Sequence, residues 1–241
     1  MAGLGLMNRR RAIASSPTKY DIMEDTILPY LVLRYSANSV SNESLLADGK
    51  IPDLTGNGYD LMTYGFTADG TNGVMVDEDG EQFIRFTQSP HCYAKAISLP
   101  AITIGELQDY TLIAKRKWVS RGGYDAIFNI YGNASDMRLC LFENCANSDM
   151  VTYSVGSYSS AVFITGVFNA GKSIVYQTVD SYNGKKALSY KFDIPNVAVS
   201  NIRIGSSNVS SKRVFDLYDI LFFRRKMTPE EISLIVNYFE L

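Results

Sequence analysis

A single histidine, His91, is all that 241 residues supply, and that scarcity argues against a catalytic triad from the outset. Any nucleophile–histidine–acid arrangement would rest on this one residue, which follows Ser89-Pro90 and lies near no patterned serine or cysteine. Cysteine is equally sparse. Cys92, Cys140 and Cys145 are odd in number and none is spaced C-x-x-C, so buried free thiols are expected rather than a disulfide framework or a zinc site. No stretch approaches the roughly 20 apolar residues that cross a membrane. The apolar residues at the N-terminus precede the arginine run instead of following it, the reverse of a secretory leader. With 23 basic and 25 acidic residues the net charge is −2, so no global field exists to hold nucleic acid. No cofactor, metal, membrane or nucleic acid is expected.

What the chain does have is strand pattern. Aromatic residues make up 12% and glycines number 18. From Tyr30 onward the apolar spacing is mainly period two, broken every eight to twelve residues by Gly, Asn, Asp or Ser, the rhythm of a sandwich or barrel. Strands are predicted at 31–35, 59–66, 82–86, 110–119, 126–131, 137–142, 150–155 and 162–167, with 53–58 a tight loop and 77–80 a turn. No internal repeat or linker interrupts the run, so one domain is expected over 28–241. At the C-terminal end the pattern changes. Thr228-Pro229-Glu230-Glu231 forms a capping box with proline at the first helical position, Met227 can staple onto Ile232, and Ile232, Ile235, Val236 and Phe239 follow helical spacing.

Residues 1–27 stand apart. Their composition suits a solvated tail, a docking arm or, more weakly, a targeting peptide. The docking reading uses Leu4, Leu6 and Met7 as apolar anchors and Arg9, Arg10 and Arg11 as partners for acidic groups.

One string invites a different function. Gly166-Val167-Phe168-Asn169-Ala170-Gly171-Lys172-Ser173 is a full match to the phosphate-loop pattern G-x-x-x-x-G-K-[ST]. The mechanism needs a strand running into a helix whose N-terminal amides hold the phosphates. The residues that follow are Ile174, Val175, Tyr176 and Thr178, poor helix formers, and an Asn183-Gly184 hairpin signal arrives within about ten residues, before a further strand at 187–192. The segment therefore reads as strand, turn, strand, and Lys172 as turn chemistry. The acidic run Asp77, Glu78, Asp79 and Glu81 surrounds a glycine without EF-hand spacing, and reads as a solvated hairpin rather than a calcium loop or a catalytic carboxylate pair. Candidate ligand contacts are aromatic: Trp118, Tyr124, Tyr131 and Tyr158, near strand ends or loops, where rings can stack on sugars.

The residues that carry a family resemblance are dispersed but ordered. Asp53-Leu54-Thr55-Gly56-Asn57-Gly58-Tyr59-Asp60 resembles the "D-x-S-G-N-G" loop of laminin-G-like, concanavalin A-like jelly rolls. The stretch 174–185 resembles that family's strand and "N-G-K" hairpin, 202–205 its "l-x-I-G" strand, and 217–232 its closing strand and "L-s-x-e-e-I" helix. The strand beginning at Tyr110 resembles "f-T-i-s-a-W", but with Lys115 at the tryptophan position and Trp118 three residues on; the catalytic "E-x-D-x-x-E" strand of glucanases is absent. The resemblance implies an all-β, two-sheet antiparallel jelly-roll sandwich with a short C-terminal helix, a binding or structural domain and not an enzyme. Gly3-Leu4-Gly5-Leu6-Met7-Asn8-Arg9-Arg10-Arg11 is similar to the opening of head-fibre and tail-associated proteins of gut Bacteroidales phages. That implies a multicopy virion protein, docked to other virion proteins by its N-terminal arm and offering loops to host or mucosal glycans. The competing reading is a secreted or surface lectin-like domain, or a glycan-active enzyme, of a gut bacterium; a nucleotide hydrolase is the third.

Overall fold

The computed structural model describes residues 22–47, 49–87, 91–97, 110–120, 124–132, 138–144, 150–155, 158–163, 172–179, 199–205 and 214–241. Within them the chain is a two-sheet antiparallel β-sandwich with a short C-terminal helix, the expected class. The first sheet runs β12 (Ser173–Val179), β7 (Tyr110–Ser120), β14 (Val214–Phe223), β5 (Gln82–Phe86), β4 (Gly73–Val76). β1 (Leu31–Ser36) continues the β5 side, pairing the second half of β14 from Leu31↔Phe223 to Ser36↔Asp219. The second sheet runs β11 (Tyr158–Phe163), β10 (Met150–Val155), β9 (Arg138–Asn144), β8 (Tyr124–Gly132), β13 (Val199–Ile204), β6 (Tyr93–Ala96), β3 (Leu61–Tyr64), β2 (Lys50–Ile51).

Alternate residues of facing strands meet between the sheets. Leu33, Tyr35, Ile84, Phe86, Leu112, Ala114, Phe215 and Phe222 from the first sheet share one buried cluster with Leu61, Ala94, Phe128, Ile202 and Ile204 from the second. β14 departs from the alternating pattern because it is buried from Phe215 to Phe223 without interruption. The cause lies on the outer face of the first sheet, where Asp216 and Asp219 pair with Arg85 and Arg34, Tyr218 bonds Asp77, and a second apolar cluster covers the end of the strand. There Ile113, Leu221 and Phe223 pack against Ile232 and Ile235 of α2 (Pro229–Tyr238) and against Met23 and Ile27 of a π-helical turn, Met23–Ile27. A strand covered on both faces reads as a continuous apolar run rather than an alternation.

The helix start matches its sequence signature. The Glu231 amide donates to Thr228 Oγ1 at 3.2 Å, the Thr228 amide donates to Glu231 Oε2 at 2.9 Å, and Pro229 occupies the first turn. Met227 and Ile232 are buried in the same cluster, as a hydrophobic staple requires.

Several boundaries move. The strand expected at 59–66 is confined to Leu61–Tyr64, because Tyr59 and Asp60 are held by the preceding loop. The one expected at 162–167 begins earlier, as Tyr158–Phe163. The short strands β2, β4 and β6 and the helical turn α1 (Asn42–Ala47) have no counterpart in the sequence reading. The domain edge expected at residue 28 falls inside a packed segment: Met23 and Ile27 are 1% and 0% exposed, so the sandwich begins by residue 22. Residues 1–21, with Leu4, Leu6, Met7 and Arg9–Arg11, lie outside the described residues, as do 187–192 and the Asn183-Gly184 turn.

Candidate functional site

The loop between β2 and β3 is built around one carboxylate. Asp53, 8% exposed, accepts hydrogen bonds from the Arg34 amide (3.1 Å), the Thr55 amide (3.1 Å), Thr55 Oγ1 (2.8 Å) and the Tyr59 amide (3.3 Å). Its own amide donates to Asp60 Oδ1 at 2.8 Å. The loop is clipped to β1 from both directions. The Leu54 amide donates to the Arg34 carbonyl at 2.9 Å, and Asn57 Nδ2 donates to the Val32 carbonyl at 2.8 Å. Gly56 and Gly58 turn the chain at φ +79° and +84°, a region where a Cβ is strained. Every position of the Asp-x-Thr-Gly-Asn-Gly string therefore has a job in holding the loop against the first sheet.

Against this loop lies a cavity of about 560 Å³, within the ~300–1,000 Å³ range of small-ligand clefts. Its walls are the loop (Leu54, Thr55, Asn57, Tyr59), the Leu28–Leu31 turn, the end of α2 (Tyr238, Phe239) and two arginines, Arg34 and Arg224. Among the described residues, none that lines it is acidic. The Arg34 guanidinium sits 4.4 Å above the Phe239 ring centre, and its Nη2 lies 3.4 Å from Asp219 Oδ1. Asp219 is 5% exposed, and burial raises its pKa to about 6, against the opposing pull of Arg34, Ser36 and Lys115. A carboxyl raised from 3.8 to about 6 takes up its proton in the folded state first, so its contribution to stability is full at low pH and is lost as the pH rises through about 6.

The sequence-derived candidates fare differently. Trp118 is withdrawn: it is 4% exposed, its ring centre 5.4 Å from that of Phe215 inside the sandwich, because its strand position faces the core. Tyr124 and Tyr131 fall in β8 and Tyr158 opens β11; their side chains lie outside the described residues. The groove residues Arg34, Arg224, Tyr59, Tyr238 and Phe239 were missed. Only the Asp53–Gly58 string signalled the place, and it did so as a fold signature.

The phosphate-loop string is overturned as a nucleotide site by its context. Ser173 opens β12, antiparallel to β7 with Ser173↔Arg116 in register, so no helix follows the lysine. Residues 164–171 lie outside the described residues. Lys172 itself reaches the acidic turn between β4 and β5, donating to Asp77 Oδ2 (2.8 Å), Asp79 Oδ2 (2.6 Å) and Glu81 Oε2 (3.3 Å). Tyr218 Oη donates to Asp77 at 3.0 Å and Lys115 pairs with Glu81. The lysine lowers the Asp77 pKa and is itself raised by these carboxylates. The pair therefore adds stability above the ordinary carboxylate value of 3.8 and below the ordinary lysine value of 10.5. The turn expected to be freely solvated is instead cross-linked by a tethered cation. Lys115 is part of the same network through Glu81. Cys92 is a buried free thiol, accepting from the Thr87 amide at 3.0 Å, with its pKa raised by burial.

A β-sandwich domain with an arginine-flanked, aromatic groove on its rim is the class that these features define. No protein-family model and no curated protein matches the chain. Solved structures do. The chain is similar to the binding domain of Paraclostridial Mosquitocidal Protein 1 (TM-score 0.58, 14% identity, covering 88% of this chain and 53% of that one). It is also similar to the binding domain of Botulinum neurotoxin DC, solved with rat synaptotagmin II (TM-score 0.56, 10% identity, 88% and 52%), and to Trypanosoma rangeli sialidase in complex with sialic acid (TM-score 0.52, 11% identity, 88% and 33%). The chain thus spans about half the length of the two binding domains and a third of the sialidase. At these identities the likeness establishes the sandwich fold.

Proposed function

We propose that this chain is a non-enzymatic glycan-binding sandwich, carried in many copies on a phage particle by residues N-terminal to the domain. The observation that carries the binding half is the rim groove, where Tyr59, Tyr238 and Phe239 stand beside Arg34, Arg224, Asn57 and Thr55 around about 560 Å³. Aromatic rings offer stacking faces to the apolar faces of sugars, while amide, hydroxyl and guanidinium groups match their hydroxyls. The company of the fold supports this reading: among the similar structures are a sialidase bound to sialic acid and a botulinum neurotoxin type C whose cell entry depends on two ganglioside molecules. The virion half rests on the resemblance of residues 3–11 to phage structural proteins. It gives the binding a mechanism, because many copies on one particle raise avidity without a tight individual site. Other virion proteins would be the partners of the N-terminal segment.

The test is a glycan array probed with the protein displayed multivalently, run beside a reducing-sugar assay on every glycan retained. Retention of a defined glycan subset with no sugar released is the expected result. Release of sugar would make the protein an enzyme, and absence of retention would remove the glycan reading.

A further inference from the structure

Two arginines define what kind of sugar the groove selects. Arg34 and Arg224 line the cavity, and among the described residues none that lines it is acidic. The carboxylates bonded to Arg34, Asp53 and Asp219, are 8% and 5% exposed. Asp53 is engaged by the Arg34, Thr55 and Tyr59 amides and the Thr55 hydroxyl. Asp219 engages Arg34 through a single contact at 3.4 Å. The two guanidinium groups thus line the groove, while the carboxylates bonded to Arg34 are buried.

Arg34 is also held in place before any ligand arrives. Its guanidinium lies over Phe239 at 4.4 Å and is tethered by Asp219, and its Nε, shielded from solvent, has no hydrogen-bond partner among the described residues. An arginine held in this way presents its remaining Nη donors and its charge at reduced entropic cost, which suits a carboxylate or sulfate better than a neutral hydroxyl. A structural ion pair would account for Arg34 and Asp219 alone. It does not account for Arg224, which is exposed on the same wall.

We infer that the groove recognises a glycan through an anionic substituent, a carboxylate or sulfate, held between Arg34 and Arg224 while the sugar ring packs on Tyr59 and Phe239. This rests on the glycan-binding reading above and specifies its ligand class. Calorimetric titration of the full chain with 3′-sialyllactose, a sulfated heparin disaccharide and neutral lactose tests it. Binding of one or both acidic sugars at least tenfold tighter than lactose is the expected result, and the two acidic probes separate carboxylate from sulfate. Arg224→Ala, an exposed position, should weaken the acidic sugar at least tenfold and lactose by a smaller factor. Arg34→Lys keeps the charge beside Asp219 and should weaken the acidic sugar severalfold through loss of the Nη donors, with an unchanged melting temperature showing that the fold is intact. Equal binding of lactose and the acidic sugars, or indifference to Arg224→Ala, overturns the anionic-sugar inference while leaving glycan binding standing. Preference for polyglutamate over every sugar, or no binding of any glycan on the array, overturns both.

Discussion

Removing residues 1–27 will cost the domain about 4–6 kcal/mol more than removing residues 1–21 alone. The difference lies in Met23 and Ile27, 1% and 0% exposed in the cluster that covers the outer face of the first sheet. Each such side chain contributes roughly 2–3 kcal/mol by burial. Their loss also uncovers Ile113, Phe223 and Ile235, which share that cluster. A domain stable by only ~5–15 kcal/mol sits near its threshold after such a loss. Thermal or urea unfolding of the two truncations, followed by circular dichroism, measures the contrast. Equal stability of both would mean that the Met23–Ile27 turn does not cover the sheet in solution. The shorter truncation is also the proper reagent for the docking proposal, because failure to join particles then reports the arm and not a damaged fold. Normal incorporation of that truncation would remove the arm from the proposal.

The second large effect belongs to Asp53. Asp53→Ala should destabilise the domain by about 3 kcal/mol, since the amides of Arg34, Thr55 and Tyr59 all lose a charged acceptor and are partly buried. The consequence for function is larger than for the fold. With the hub gone, Asn57 and Tyr59 are no longer fixed against β1, and one wall of the groove loses its shape, so glycan retention should fall below detection while the β-sheet signal persists. Asp53→Asn, which keeps an acceptor oxygen in the same place, should recover part of both. Retained binding by Asp53→Ala, with the stability loss present, would show that the loop is a fold element only.

The fold was readable because its signals are local and redundant. Period-two spacing located seven of the long strands, and the Thr228–Glu231 capping box located the helix to the residue. Strands of two to four residues such as β2, β4 and β6 carry too few alternations to register. The site was less legible for a physical reason. Its residues come from four separate stretches, with Arg34 on β1, Tyr59 in the loop, Arg224 after β14 and Phe239 at the end of α2. Nothing in the spacing of one stretch announces the others. Trp118 misled because a position near a strand end suggested exposure, while the register of β7 turns its ring inward beside Phe215. Lys172 shows the opposite case. Its phosphate-loop string is complete, yet the lysine is consumed by Asp77, Asp79 and Glu81, residues about ninety positions away that no string search connects.

The most direct test of the groove as the binding site is an amide chemical-shift titration of the labelled protein with the best-retained array glycan. The shifts should concentrate at Thr55–Tyr59, Arg34, Arg224 and Tyr238–Phe239. Shifts centred instead on the exposed face of the second sheet, around Tyr64 and Tyr93, would contradict the assignment and place the binding surface elsewhere.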